Sequence, residues 1–424
     1  MNSFVLYQKE LCQILTIVCY GILLIYTYKN RKYTKFDQTT FTYLTWFVAS
    51  VMGYFYLHSE ICNVGLRSPE FGSVFIAFGL FILYTWPIYF LRERTLDNYQ
   101  FEDNEIIYYL CIFVSIICIV PFAENLVHLS DAKTRSEIGM LHDELVIFKE
   151  YNSPIGKTCA NILRCFKFII PVLFFNYVNT NNKKINKFVV IGLLCAYFND
   201  SLAAFCRGSR FLAVIDGLRF VFLYLLMRKT ISVKIKAFIN KSFGILAGIV
   251  IFLFVILSIA RFGDRTNESV LESYFRYAGE GFNNLYADMM YVDRHTYGMH
   301  IFRSLFGDEN TPDTLTLYMG IRMFVYYTFM GDFIADFGIL GSVVIFILIS
   351  SIIYITIIRK RTFSFFNLII LGAYATVFNS GFMYTAFMNY GLGIKGFLCF
   401  IIIYGIIYYG EESRKRSINN YRKL

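Results

Sequence analysis

Residues 334–357 read IADFGILGSVVIFILISSIIYITI, and Asp336 is the one charge among them. A helix needs roughly 20 mainly apolar residues to cross the hydrocarbon core of a bilayer, and this run exceeds that length. Reading outward in both directions finds further runs near 11–28, 39–57, 71–90, 106–123, 165–179, 188–206, 211–227, 242–260, 363–383 and 389–409. Together they predict an all-α polytopic integral membrane protein with about eleven transmembrane helices in a single domain over 1–424. Composition agrees: 57% of the 424 residues are hydrophobic and 17% charged, with mean hydropathy +0.52, where a soluble domain carries about 25% charged residues. The first run has no basic leader and no small-residue cleavage site, so it is expected to remain as a helix. Pro121 and Pro171 are the expected weak points of the fourth and fifth spans.

The formal charge of +10 is explained by location and calls for no nucleic acid. Lys29, Arg31, Lys32 and Lys35 follow the first span, Lys183, Lys184 and Lys187 the fifth, and Arg228, Lys229, Lys234, Lys236 and Lys241 the seventh. Arg359, Lys360 and Arg361 follow the ninth, and Arg414, Lys415, Arg416, Arg422 and Lys423 form the tail. With every span counted, these clusters share one side, which the positive-inside bias makes cytoplasmic. The amino terminus is then outside, and residues 125–160 and 261–333 become extracytoplasmic loops, the first a cap and the second the larger. Ten cysteines stand singly with no C-x-x-C pair, as small buried hydrophobes do.

On this topology the stretch AFCRGSRFL places Arg207 and Arg210 at the outer boundary between two spans, where positive charge is disfavoured. Three residues apart, they can share one anionic ligand, or snorkel separately to lipid phosphates. The 261–333 segment adds Arg261, Arg265, Arg276, Arg294, Arg303 and Arg322 and contains no lysine. A bias toward the forked guanidinium favours phosphate or carboxylate recognition, although nearby acids supply ordinary pairing partners for some of them. Within the segment, SYFRYAGEGFNNLYADMM reads as a helix with Arg276 and Glu280 one turn apart and Tyr274, Tyr277, Phe282 and Tyr286 along it. It suits an interfacial position, rings toward sugar or lipid. Asp332 and Asp336, at i and i+4 where helix enters membrane, can face one cavity, and Gly338 and Gly341 permit close helix approach. Asn199, Asp200, Asp216 and Arg219 are polar positions in apolar helices, with Arg219 or Arg210 as the expected partner of Asp216. No Rossmann fingerprint, P-loop or compact metal-ligand cluster is visible.

Three stretches, RGSR at Arg207–Arg210, YFRYAGEGFNNL at Tyr274–Leu285 and GDFIADFGILG at Gly331–Gly341, occur in an order that resembles the Wzy-type oligosaccharide repeat-unit polymerases of the O-antigen polymerase and ligase superfamily. The resemblance implies a GT-C-like membrane glycosyltransferase of the bacterial inner membrane with its site on the periplasmic side. It would transfer a growing glycan from undecaprenyl diphosphate onto another lipid-linked repeat unit, without a cofactor or metal. Its expected partners are undecaprenyl-diphosphate-linked oligosaccharides, a chain-length regulator and a repeat-unit flippase. Arg207, Arg210, Arg276, Glu280, Asp332 and Asp336 are the expected catalytic residues, and Arg294, His300, Arg303, Arg322, Tyr277 and Asn284 the expected substrate contacts. The proton acceptor is open among Glu280, His300, Asp332 and Asp336; as a site carboxylate, Asp336 stands slightly ahead of Asp332 for its DFG setting. A ligase of the same superfamily, with His295 or His300 as a loop histidine, is the nearest rival, and a repeat-unit flippase a more distant one.

Overall fold

A computed structural model describes residues 3–31, 36–62, 67–91, 105–129, 153–179, 186–206, 211–231, scattered positions in 233–248, 270–302, 312–321, 326–359, 364–385 and 393–404. Among these, 83% are helical and none is in a strand. The helices are α1 (Ser3–Asn30), α2 (Gln38–Leu57), α3 (Phe71–Tyr89), α4 (Glu105–Ile117), α5 (Ile119–His128), α6 (Pro154–Cys165), α7 (Ile170–Asn179), α8 (Lys187–Cys206), α9 (Phe211–Met227), α10 (Val270–Ala287), α11 (Pro312–Met319), α12 (Thr328–Ile353) and α13 (Phe365–Asn379), with α14 over Gly393–Tyr404. Among the described residues five helices are long and apolar enough to span a membrane, or six with the bent pair α6 and α7. The chain is therefore a polytopic membrane protein.

The difference from eleven runs has local causes. Most of the run at 242–260 lies outside the described residues. Helix α2 is long enough, but with four threonines it is too polar; α13 is short, and α9 and α14 border residues outside the described ones. The two prolines behave differently. Pro121 falls in the first turn of α5, where a missing N–H costs little, and α4 and α5 count as one span. Pro171 follows a break at 166–169, across which α6 and α7 meet at 74°.

That break organises a buried polar cluster. Pro171 cannot donate to the Lys167 carbonyl four residues back, and the Arg219 guanidinium does so instead at 3.2 Å, with a second bond to the Phe168 carbonyl at 2.7 Å. The same turn carries the buried Lys167 ammonium, which donates to Asp216 at 2.6 Å and to the Tyr197 carbonyl at 3.0 Å, with Asp200 at 3.7 Å. Ser201 donates to the same Asp216 oxygen at 2.6 Å, and Arg164 to Asp200 at 3.2 Å. Asp216 thus pairs with Lys167, a residue far away in sequence; Arg219 is taken by the broken backbone, and Arg210, the other expected partner, lies outside the described residues.

Helix α10 departs from its expected interfacial position. It packs along α2 so closely that a β-carbon at Gly279 would stand 2.2 Å from the Gly53 Cα, a crossing open only to glycine. Asn283 donates to the Gly53 carbonyl at 3.0 Å. Phe282 and Tyr286 do not face sugar or lipid: Phe282 packs on Tyr20 and Trp46 in the core, and the Tyr286 hydroxyl meets Thr16 at 2.9 Å. Trp46 donates to the Phe378 carbonyl at 2.7 Å and ties α2 to α13.

Helix α12 is two arms. Gly338, at φ 70 and ψ 175, reverses the chain between residues 328–337 and 339–353. The Phe329 and Phe346 rings lie 5.6 Å apart and both contact Tyr84, where a straight helix of that length would separate them by about 25 Å. Gly338 is therefore a reversal point, not the helix-approach position expected from its spacing to Gly341. The first arm is buried; the second exposes Leu340, Val344, Leu348 and Ile352 on one side.

The Lys167–Asp216 pair gives a stability prediction. Lys167→Met strands a buried carboxylate and is expected to cost about 3–5 kcal/mol, whereas Lys167→Met with Asp216→Leu removes both charges and recovers much of that loss. Thermal unfolding of the detergent-purified variants, followed by size-exclusion fluorescence, measures both; equal loss in the single and double variants would refute a stranded charge as the cause.

Candidate functional site

Reversing a helix at Gly338 frees carbonyls that would otherwise accept from the next turn. Ala335 and Asp336 keep theirs paired by accepting from Thr296 N at 3.1 Å and Tyr297 N at 2.9 Å. The Asp336 carboxylate extends this docking: it accepts from His300 N at 3.0 Å, from Ile301 N at 2.9 Å and from the Thr296 hydroxyl. Tyr297 and Gly298, both at positive φ, turn the chain over this anchor. A loop with no regular structure of its own is thereby held against one face of a helical arm.

Docking the loop delivers His300. Its Nε2 stands 3.0 Å from Asp332 Oδ1, with both side chains buried. The other Asp332 oxygen accepts from the backbone N–H of Thr385. Asp332 and Asp336 do converge, as their spacing suggested, and they converge on one residue: the first holds the His300 ring and the second its backbone. They differ chemically. Asp336 is filled by structural donors, while His300 Nδ1 is buried with no partner among the described residues.

The 380–385 segment completes this centre. It follows α13, and its carbonyls at Met383 and Gly381 accept from Tyr327, Thr328 and Phe329, the groups at the start of the first α12 arm. Thr328 is held there at φ 65, a conformation unusual for a β-branched residue. Gly281 of α10 is also tight here, since a β-carbon on it would lie 2.4 Å from the Phe382 carbonyl.

Helix α10 contributes the second half of the site. Arg276 Nε lies 3.2 Å from Glu280 Oε2, the i,i+4 pair expected from sequence, with Arg276 45% exposed and Glu280 buried. Asn284 donates to Glu280 at 3.3 Å and to the Tyr326 carbonyl at 3.1 Å. Tyr277 lies 5.8 Å from the Tyr326 ring, which stacks at 5.8 Å on Tyr384, the neighbour of Thr385. Contacts therefore run from Arg276 through Glu280, Asn284 and Tyr326 to Tyr384, and chain continuity leads on through Thr385 to Asp332 and His300.

Arg294 stands apart from that sequence of contacts, exposed and donating to the Tyr318 carbonyl at 3.3 Å. Arg207, Arg210, Arg303 and Arg322 lie outside the described residues. Thr296, Tyr326, Tyr384 and Thr385 carry no sequence signal, because a lone threonine in a polar loop or a tyrosine or threonine in an apolar run makes no periodic pattern. No family model, curated protein or solved structure matches the chain.

The Gly338 reversal is testable. Gly338→Ala puts a side chain in a backbone region reserved for glycine, at a strain of about 1–3 kcal/mol, and its β-carbon would stand 2.8 Å from His295 Nε2. Asp336→Ala leaves two buried N–H groups without an acceptor, at about 1–3 kcal/mol each. Both variants should accelerate hydrogen exchange selectively in 296–302; exchange matching the parent would show that the loop is held by other means.

Proposed function

We propose that the protein is a membrane glycosyltransferase that polymerises undecaprenyl-diphosphate-linked oligosaccharide repeat units into a surface polysaccharide. The observation that carries this reading is the buried His300–Asp332 pair with an open ring nitrogen, set beside the Arg276–Glu280–Asn284 row. The order of the three family-like stretches supports it. The finer topology belongs to the same proposal: eleven spans, the amino terminus outside, the site on the periplasmic face of the inner membrane, and a chain-length regulator and flippase as partners.

The chemistry follows from the residues. With the His300 proton on Nε2 and shared with Asp332, the Nδ1 lone pair is free to accept a proton. An acceptor sugar hydroxyl gives its proton to Nδ1 as its oxygen bonds to the anomeric carbon of the donor glycan. The bond from that carbon to the diphosphate oxygen breaks, and undecaprenyl diphosphate departs with the electron pair. Arg207 and Arg210 are assigned to the diphosphate, whose developing charge suits forked donors, with Arg276 in support. Asp336, occupied by backbone donors, is assigned to positioning His300, and His300 is assigned as the base among the four residues the sequence leaves open. Asp332 holds the imidazole in orientation.

Purified protein supplied with the cognate lipid-linked repeat unit alone should yield a ladder of glycans longer by whole units, with release of undecaprenyl diphosphate. His300→Ala should lower the ladder rate by roughly 10²–10⁴-fold, the usual range for a lost general base, and Asp332→Asn should lower it less. A single addition to a different lipid acceptor would identify a ligase, and movement of substrate between leaflets without bond formation a flippase.

The arginine assignment has its own test. The double variant Arg207→Lys with Arg210→Lys keeps the charge and loses the fork. Its ladder rate should fall while membrane abundance stays at the parent level. An undiminished ladder would reduce the pair to general headgroup attraction.

A further inference from the structure

We propose that the stacked rings of Tyr326 and Tyr384, with Asn284, Thr385 and His300 around them, form a subsite for the acceptor sugar, an inference that rests on the glycosyl-transfer reading above. The two rings are parallel within 3° at a centroid distance of 5.8 Å. Tyr277 adds a third ring at 5.8 Å from Tyr326. All three residues, each carrying an aromatic surface, are half-buried. Carbohydrates use such surfaces because one face of a pyranose is lined by C–H groups while its hydroxyls point outward to polar partners.

The polar partners are present and unused. Asn284 Oδ1, Thr385 Oγ1 and His300 Nδ1 are buried and have no hydrogen-bond partner among the described residues. Leaving such an atom unsatisfied costs about 1–3 kcal/mol, so three of them in one connected group need an explanation. The residues that carry these atoms are linked by contacts and by the chain. Asn284 bonds the Tyr326 carbonyl, Thr385 follows Tyr384, and the Thr385 N–H and the His300 ring meet on Asp332.

The kind of unused atom decides the ligand class. The Asn284 amide is oriented by its Nδ2, which donates to both Glu280 and Tyr326, so its free atom is the oxygen, an acceptor. His300 Nδ1 is also an acceptor when Nε2 carries the proton. A phosphate or diphosphate offers no donor to such atoms, and a lipid tail or detergent chain offers neither donor nor acceptor. A polyhydroxylated ring offers several donors together with an apolar face. The subsite is thus the neutral, sugar-binding half of the centre, distinct from the arginines assigned to the diphosphate.

Thr385 provides a variant with a signed expectation. Its hydroxyl has no partner among the described residues, so Thr385→Val removes an unsatisfied group at nearly constant shape, and thermal stability should hold or rise. Its backbone N–H to Asp332 is retained. Protein in lipid nanodiscs is applied to an array of defined oligosaccharides from bacterial surface glycans. The parent should retain a subset of these. Thr385→Val and Tyr384→Ala should retain them roughly tenfold more weakly, and Tyr384→Phe, which keeps the ring, near the parent level. The proposal is overturned if the parent retains no glycan. It is also overturned if Thr385→Val and Tyr384→Ala retain glycan as the parent does, or if Thr385→Val lowers the melting temperature with binding unchanged. The elongation ladder, run on the same preparations, separates the two readings. A ladder without dependence on Thr385 and Tyr384 sinks the subsite alone, and glycan retention that needs both residues without any ladder sinks the transferase reading and leaves a sugar site.

Discussion

The docking of residues 296–301 onto Asp336 and the adjacent carbonyls is the constraint on which the candidate site depends. Gly338 reverses α12, two carbonyls lose their helical donors, and the loop supplies replacements. In a bilayer this matters more than in water, because lipid cannot satisfy a backbone group left open. The side chain of Asp336 then secures two more N–H groups of the same loop, and His300 is aimed at Asp332 as a consequence. Each step leaves fewer conformations open to the imidazole.

The same logic recurs at the other breaks. At 166–169, Pro171 leaves the Lys167 carbonyl without a donor, and Arg219 reaches across from α9 to provide it. At 380–385, the carbonyls of Gly381 and Met383 accept from the start of the first α12 arm. Each interruption of a helix is repaired by groups distant in sequence, and two of the three bring buried ionisable side chains with them. The Lys167–Asp216 pair and the His300–Asp332 pair are in this sense related outcomes of broken helices. They differ in completion: Lys167 is surrounded by acceptors, whereas His300 keeps one nitrogen open.

The candidate site combines close packing with incomplete polar satisfaction among the described residues. Helix α10 comes into backbone contact with α2 at Gly53 and Gly279, which brings Glu280 and Asn284 to the Tyr326 carbonyl. Close packing alone would favour apolar groups at such a crossing. Glu280 and Asn284 follow it on the same helix, and Asn284 Oδ1, with His300 Nδ1 and Thr385 Oγ1 near Asp332, is buried with no hydrogen-bond partner among the described residues.

Hydropathy read from residues such as those of 334–357 was enough to establish an all-helical membrane protein, because exclusion of polar groups from lipid acts on each run separately. The Arg276–Glu280 pair and the convergence of Asp332 with Asp336 were legible for a similar reason, since helical spacing is local. Folding alone decided that Asp216 pairs with Lys167, that Phe282 and Tyr286 turn into the core, and that Gly338 reverses a helix that reads as continuous. It also joined His300 to Asp332 and Tyr326 to Tyr384 across long stretches of chain. No local pattern encodes those meetings: they arise when broken helices must find hydrogen-bond partners within the protein, and only the packed bundle determines which distant residue supplies them.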